Sequence, residues 1–114
     1  MSKVKEASVQ EKHYIVLTFR FERVDRRWLA RCEELGTSTF GRSLTEAQGR
    51  LTEAVWLHLN TLEDVGERER FFKEHGILFH HAKPPRSVDL SKVPVNEQIF
   101  IQPHVQRLPA LVPA

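Results

Sequence analysis

Phe40 to Leu62, FGRSLTEAQGRLTEAVWLHLNTL, holds the transition that decides the fold. Phe40 closes a β-prone run, Gly41 provides a turn, and Ser43-Leu44-Thr45-Glu46 has the form of a capping box. In that arrangement Ser43 accepts from the backbone N–H three residues on, and Glu46 reaches back to the cap residue's own N–H. Leu44, Ala47, Leu51, Ala54, Val55, His58, Leu59 and Leu62 then recur at helical spacing and fall on one face of a long amphipathic helix. Such a stripe needs an apolar sheet beneath it. Gly49 falls on the opposite side, where it weakens the helix by roughly 1 kcal/mol relative to Ala but disturbs no packing.

The residues before this segment supply the sheet. Ile15, Leu17, Phe19 and Phe21 alternate with Val16, Thr18, Arg20 and Glu22, the period-2 pattern of a strand with one buried face. Asp25-Arg26-Arg27 reads as a turn, although it lacks the glycine of the tightest hairpins. Trp28 to Cys32 returns antiparallel, and Thr37 to Phe40 adds a short third strand. After the long helix, Gly66 is a break, Glu67 to His75 makes two more turns, and Gly76 takes the C′ position. Ile77 to His81 (ILFHH) reads as the strand that completes the sheet. The expected fold is therefore α+β, an antiparallel sheet of three to four strands in the order β-β-β-α-β, packed on one long helix.

Composition divides the 114 residues into three zones. Residues 1–12 are polar and read as a frayed N-terminus. Residues 13–82 hold nearly all the periodic pattern and make one α+β domain. Residues 83–114 contain all six prolines and read as a tail. Within the tail, Val93-Pro94-Val95 and Glu97 to Val105 are rich enough in β-formers for one strand. Ile99, Ile101, Pro103 and Val105 share one face of it and Phe100 points the other way. Its proline predicts an edge position. Such a strand adds to its own sheet, to a second copy or to a partner's edge; the remaining possibility is a disordered tail.

The function classes narrow by elimination. A net charge of +2 is too small to indicate nucleic acid. Arg20, Arg23, Arg26, Arg27 and Arg31 interleave with Glu22, Asp25, Glu33 and Glu34, which favours mixed surface ion pairs over a basic edge. Cys32 is the one cysteine, so neither an intrachain disulfide nor a Cys-based zinc site is expected, and it reads as a small buried hydrophobe beside carboxylates that raise its pKa. No apolar run approaches the ~18 residues of a membrane helix, and no signal-type segment opens the chain, which reads as cytoplasmic.

A two-metal nuclease needs several carboxylates converging on cations ~4 Å apart. The first strand offers Glu22 alone, and Glu46 and Glu53 read as a solvated helix face. His58 reads as a satisfied histidine of the core or its edge, His80 and His81 point to opposite faces, and His13, His75 and His104 have no evident partner. No catalytic residue, metal ligand or cofactor is expected.

Binding is the remaining class. Trp56 and Leu57 lie outside the apolar stripe, and mutual cover among Trp56, Phe71 and Phe72 is the preferred reading, with an exposed partner-binding patch as the alternative. Trp56, Leu57, Phe71 and Phe72 on the helices are thus candidates for a partner or dimer interface. Ile99, Phe100 and Ile101 in the tail join them.

From Tyr14 to Ile77, the hairpin with WLARCEELG, the strand into FGRSLTEA and the helix RLTEAVWLHLNTL resemble the antitoxin domain of the HicB family, and GERERFFKEHGI resembles the ending of some short members. The resemblance implies a degraded ribonuclease H-like fold without its catalytic acids. It implies a protein that binds and blocks a small basic RNase toxin (HicA-like) in a toxin–antitoxin pair, and assembly into dimers through C-terminal elements, so that exchange of the tail strand within a homodimer is the expected arrangement. Many members add a helix-turn-helix or ribbon-helix-helix module; this chain has no such pattern after Lys83, so operator DNA binding is not expected. The alternatives are an orphan homodimeric structural or regulatory module of the same fold, or a residual metal-dependent nuclease.

Overall fold

The computed structural model describes residues 13–80 and 93–108. The order is β1 (His13–Val24), β2 (Arg27–Cys32), β3 (Ser38–Gly41), α1 (Leu44–Asp64), α2 (Arg68–Glu74), β4 (Val93–Asn96) and β5 (Ile99–Leu108). The five strands form one antiparallel sheet in the order β3-β2-β1-β5-β4, with both helices on one side. No described helix is long and apolar enough to cross a membrane.

The alternation of β1 sets the two faces. Ile15, Leu17, Phe19 and Phe21 are fully buried beneath the helices, while Val16, Thr18, Arg20 and Glu22 point to the other side. Opposite them, α1 buries Ala47, Leu51, Val55 and Leu59, with Leu44, Ala54, His58 and Leu62 at the margins of the same stripe. Leu35, Phe72, Ile77 and Leu108 close the core.

Local chemistry fixes the element ends. At the β1–β2 turn Asp25 takes φ 58°, the left-handed conformation that asparagine and aspartate tolerate best after glycine. Ser43 Oγ accepts from Glu46 N–H at 3.1 Å, as the capping box requires. The Glu46 carboxylate bonds Arg42 N–H at 2.9 Å, one residue before the cap nitrogen expected to donate to it. Both helices end in Schellman motifs. Gly66 and Gly76 have φ near 70°, and the N–H groups of Glu67 and Ile77 bond the carbonyls of Leu62 and Phe72.

Two expectations about strands are corrected. Ile77–His80 does not complete the sheet. It makes a single bridge, Tyr14 to His80, with reciprocal backbone bonds of 3.1 and 2.9 Å; His81 lies outside the described residues. The strap is pinned instead by side chains. The His80 ring stacks on Tyr14 at 4.7 Å, and Phe79 lies over the guanidinium of Arg68 at 5.5 Å. The strand that does complete the sheet comes from the tail, as two strands: β5 pairs with β1 from Glu22↔Ile99 to His13↔Leu108, and β4 folds back on it. The sheet therefore includes Val93–Asn96 and Ile99–Leu108 from the proline-containing tail.

The second correction concerns Pro103, whose strand is not at the edge, since β5 lies between β1 and β4. Thr18, the residue opposite Pro103, directs its N–H and C=O away from β5, to the Glu34 carboxylate and Glu33 N–H. The pair is therefore a non-hydrogen-bonded one, and the proline nitrogen faces the outer side of β5. β4 pairs only as far as Ile101. Among the described residues nothing pairs with the outer side of Pro103, which meets its chemical need without an edge position.

Candidate interaction surface

The polar residues that resemble catalytic groups are tied into structure. His58 Nδ1 lies 2.9 Å from Thr37 Oγ1 and its ring meets Phe71 edge-on, so it joins α1 to the β2–β3 loop. Cys32 is fully buried, and burial is the main cause that pushes its thiol up to about 11, with the nearby Glu34 carboxylate adding a smaller rise. Glu34 is itself held by Thr18, accepting from its N–H at 2.7 Å and from its hydroxyl at 2.8 Å.

Glu46 is lowered from the usual carboxylate value, chiefly by the Arg42 N–H and secondarily by the charges of Arg50 and Arg42. Glu53 is exposed on α1. Three histidines that showed no partner in sequence have one in the fold. His13 meets Phe79 at 5.1 Å, His75 stacks on Phe71 at 3.9 Å, and His104 stacks on Phe19 at 4.3 Å while its Nε2 lies 3.0 Å from Gln106. Among the described residues no group of three or more His, Cys, Asp or Glu side chains is placed to hold a metal.

The interface candidates do not converge. Phe72 is 4% exposed and belongs to the core. Phe71 is half-buried between His58 and His75. Neither ring covers Trp56, so the expected mutual cover is absent: Trp56 is 45% exposed and Leu57 58%, side by side on the outer surface of α1. Glu53 lies one turn before this pair and Asp64 two turns after Leu57, and both are exposed without an ion pair among the described residues. The patch is apolar at its centre and has these two free carboxylates beside it, while Arg50, two turns before Leu57, is ion-paired with Glu46.

Phe100 turns to the helix side and packs against Trp28 at 5.8 Å. Ile99 and Ile101 lie on the opposite, outer face of the sheet, with Pro103 and Val105. That face was missed as a unit in the sequence. The register assembles on it Val16, Arg20 and Glu22 from β1, Leu29 and Arg31 from β2, and Phe40 from β3. A shallow groove there is lined by Arg20, Glu22, Leu29, Arg31 and Glu33, and no described element covers it. The only trace in the sequence was the mixed character of the alternate residues of β1, apolar at Val16 and charged at Arg20 and Glu22, which a solvated face also shows. Without register, these could not be combined with the aliphatics of β5.

Comparison of the chain with protein-family models, with curated proteins and with solved structures returns no match.

Proposed function

We propose that this chain is an antitoxin-like binding protein of the HicB type, which neutralises a small basic RNase by direct contact and has no catalysis of its own. The observation that carries this reading is the Trp56–Leu57 patch, two large apolar side chains standing exposed on α1 between the carboxylates of Glu53 and Asp64. An exposed apolar centre with charged ends is the build of a protein-binding hot spot, and its negative sign suits a cationic partner. The residue pattern supports the same reading: WLARCEELG and FGRSLTEA stand in the hairpin and the sheet-to-helix turn. In this reading the β-β-β-α core is a degraded ribonuclease H-like scaffold whose polar groups, His58 and Glu46 among them, hold the fold together.

The reading expects a short basic protein to be encoded beside this chain, and the test is co-expression with it. Rescue of growth and stoichiometric co-purification are expected, and the Trp56→Ala/Leu57→Ala variant is expected to weaken the complex by at least about a hundredfold. Failure of the pair to associate overturns the proposal, as does magnesium- or manganese-dependent RNA cleavage by the purified chain alone.

A further inference from the structure

Register arranges the outer face of the sheet in rows that run across the strands. One row reads Ser38, Arg31, Arg20, Ile101; the next reads Phe40, Leu29, Glu22, Ile99. Beyond them Arg27 stands opposite Val24, beside the Asp25–Arg26 turn. The mixed ion pairs expected of these arginines are mostly missing. Arg31 has Glu33 at 3.7 Å, whereas Arg20, Arg26 and Arg27 have no ion pair or side-chain hydrogen bond among the described residues. Arg20 and Arg31 are directly opposite each other, a juxtaposition of like charges that destabilises a sheet standing alone. Between the two groups of arginines stands Phe40, 43% exposed.

We propose that this face binds a single-stranded nucleic acid. Arg26 and Arg27 at one end, and Arg20 and Arg31 at the other, take phosphates, and Phe40 stacks on a base between them. Two shallow grooves lie end to end along β2, one holding Arg26, Arg27 and Phe40, the other Arg20, Leu29 and Arg31. They meet where Leu29 stands opposite Phe40. Arg27 and Arg31 are four residues apart on β2, about 14 Å at the rise of an antiparallel strand. That leaves room for a base on the ring between two phosphate contacts. The small net charge of the chain argues against a broad basic surface and leaves a local track of this kind open.

The carboxylate in the middle of the track decides what form the strand takes. Glu22 lies next to Leu29 in the row of Phe40 and has no ion pair among the described residues. A carboxylate repels a phosphate but accepts a hydrogen bond from the exocyclic amino group of a base such as cytosine. A duplex keeps its bases stacked on one another and turns its phosphates outward, so it has no ring for Phe40 and meets Glu22 with like charge. An unpaired strand offers a base to both. Arginines supply the charge and the aromatic ring a sequence-tolerant contact, the combination by which single strands are held. The proposal is independent of the antitoxin reading, whose patch on α1 lies on the other side of the sheet, and its test needs no toxin.

The full-length chain is titrated into labelled oligonucleotides of about ten cytidines and adenosines, as RNA, as DNA and as each annealed to its complement. Fluorescence anisotropy is read over a salt series. The single strands are expected to bind with a Kd of about 10 μM or tighter at low salt, and with a log–log salt slope of about −2 to −3. The tighter of RNA and DNA identifies the natural strand. Arg26→Ala/Arg27→Ala is expected to weaken binding and to make the slope shallower by about 1 to 1.5. Phe40→Ala is expected to weaken binding about tenfold and to leave the slope unchanged. All three positions are exposed, so folding is not at risk. Failure of both single strands to bind at low salt, or a duplex bound as tightly as the free strand, overturns the proposal. So does a Phe40→Ala variant that binds unchanged, which would leave only unspecific attraction to a polyanion.

Discussion

A Cβ built on Gly41 lies 2.4 Å from the backbone nitrogen of Ala47, whereas one built on Gly49 meets nothing within 4 Å. Both glycines stand in the segment that joins sheet to helix, yet only the first is demanded by the fold: α1 starts so close to β3 that no side chain fits between them. Gly41→Ala is therefore expected to destabilise the protein by about 2–3 kcal/mol, since backbone must move to admit the methyl group. Gly49→Ala, on the exposed side of the helix, is expected to stabilise it by about 1 kcal/mol. Chemical denaturation of the two variants reads both signs. The position of Gly49 was legible from helical spacing alone. The reason for Gly41 was not, because a turn glycine and a close-approach glycine look the same in sequence. His58 was readable as a structural histidine from its place in the stripe, but its partner Thr37 is 21 residues away and only the fold brings the two together.

Among the elements, β5 shows most clearly how a sound physical rule can lead to a wrong placement. Proline cannot donate in a ladder, and that holds here; but the rule constrains one side of one residue, and within the described residues β4 ends its pairing at Ile101, before that side is reached. The strand-like pattern of the tail was visible, and so was the shared face of Ile99, Ile101, Pro103 and Val105. The direction of that face was not, since two-residue periodicity gives a pair of faces without saying which is buried. The structure places β5 along nearly the whole of β1, where it becomes a central strand. Removing residues 93–114 is accordingly expected to abolish cooperative thermal unfolding, because β1 would lose its full ladder on that side. A truncated chain that melts cooperatively near the wild-type temperature would show that the first three strands and α1 suffice.

For the whole molecule, one buried titration stands out. Burial holds His104 below its ordinary value of 6.5, opposed only by its bond to Gln106. It is on the helix side of β5, stacked on Phe19 in the core. A histidine with a depressed folded pKa takes up its proton more readily when the chain is unfolded. Its contribution to stability is therefore complete above pH 6.5 and declines as the pH falls toward the folded value. Unfolding midpoints measured between pH 8 and 5 are expected to drop on the acid side, and His104→Gln is expected to reduce that slope. The remaining sites lie at the surface and are of two kinds, the acid-flanked Trp56–Leu57 patch on α1 and the charged, aliphatic outer face of the sheet.

The order of residues by itself determined the elements: the alternation of β1, the capped start and apolar stripe of α1, and the glycine stops of both helices. These are local properties, set by backbone geometry and by spacings of two to four residues. Only the tertiary structure decided which strand lies beside β1, that Pro103 sits inside the sheet, and that Arg20, Arg31 and Ile101 share one row of a face that no described element covers. Those relations join residues far apart in the chain through a register that hydrogen bonding between strands selects, and no local pattern carries it.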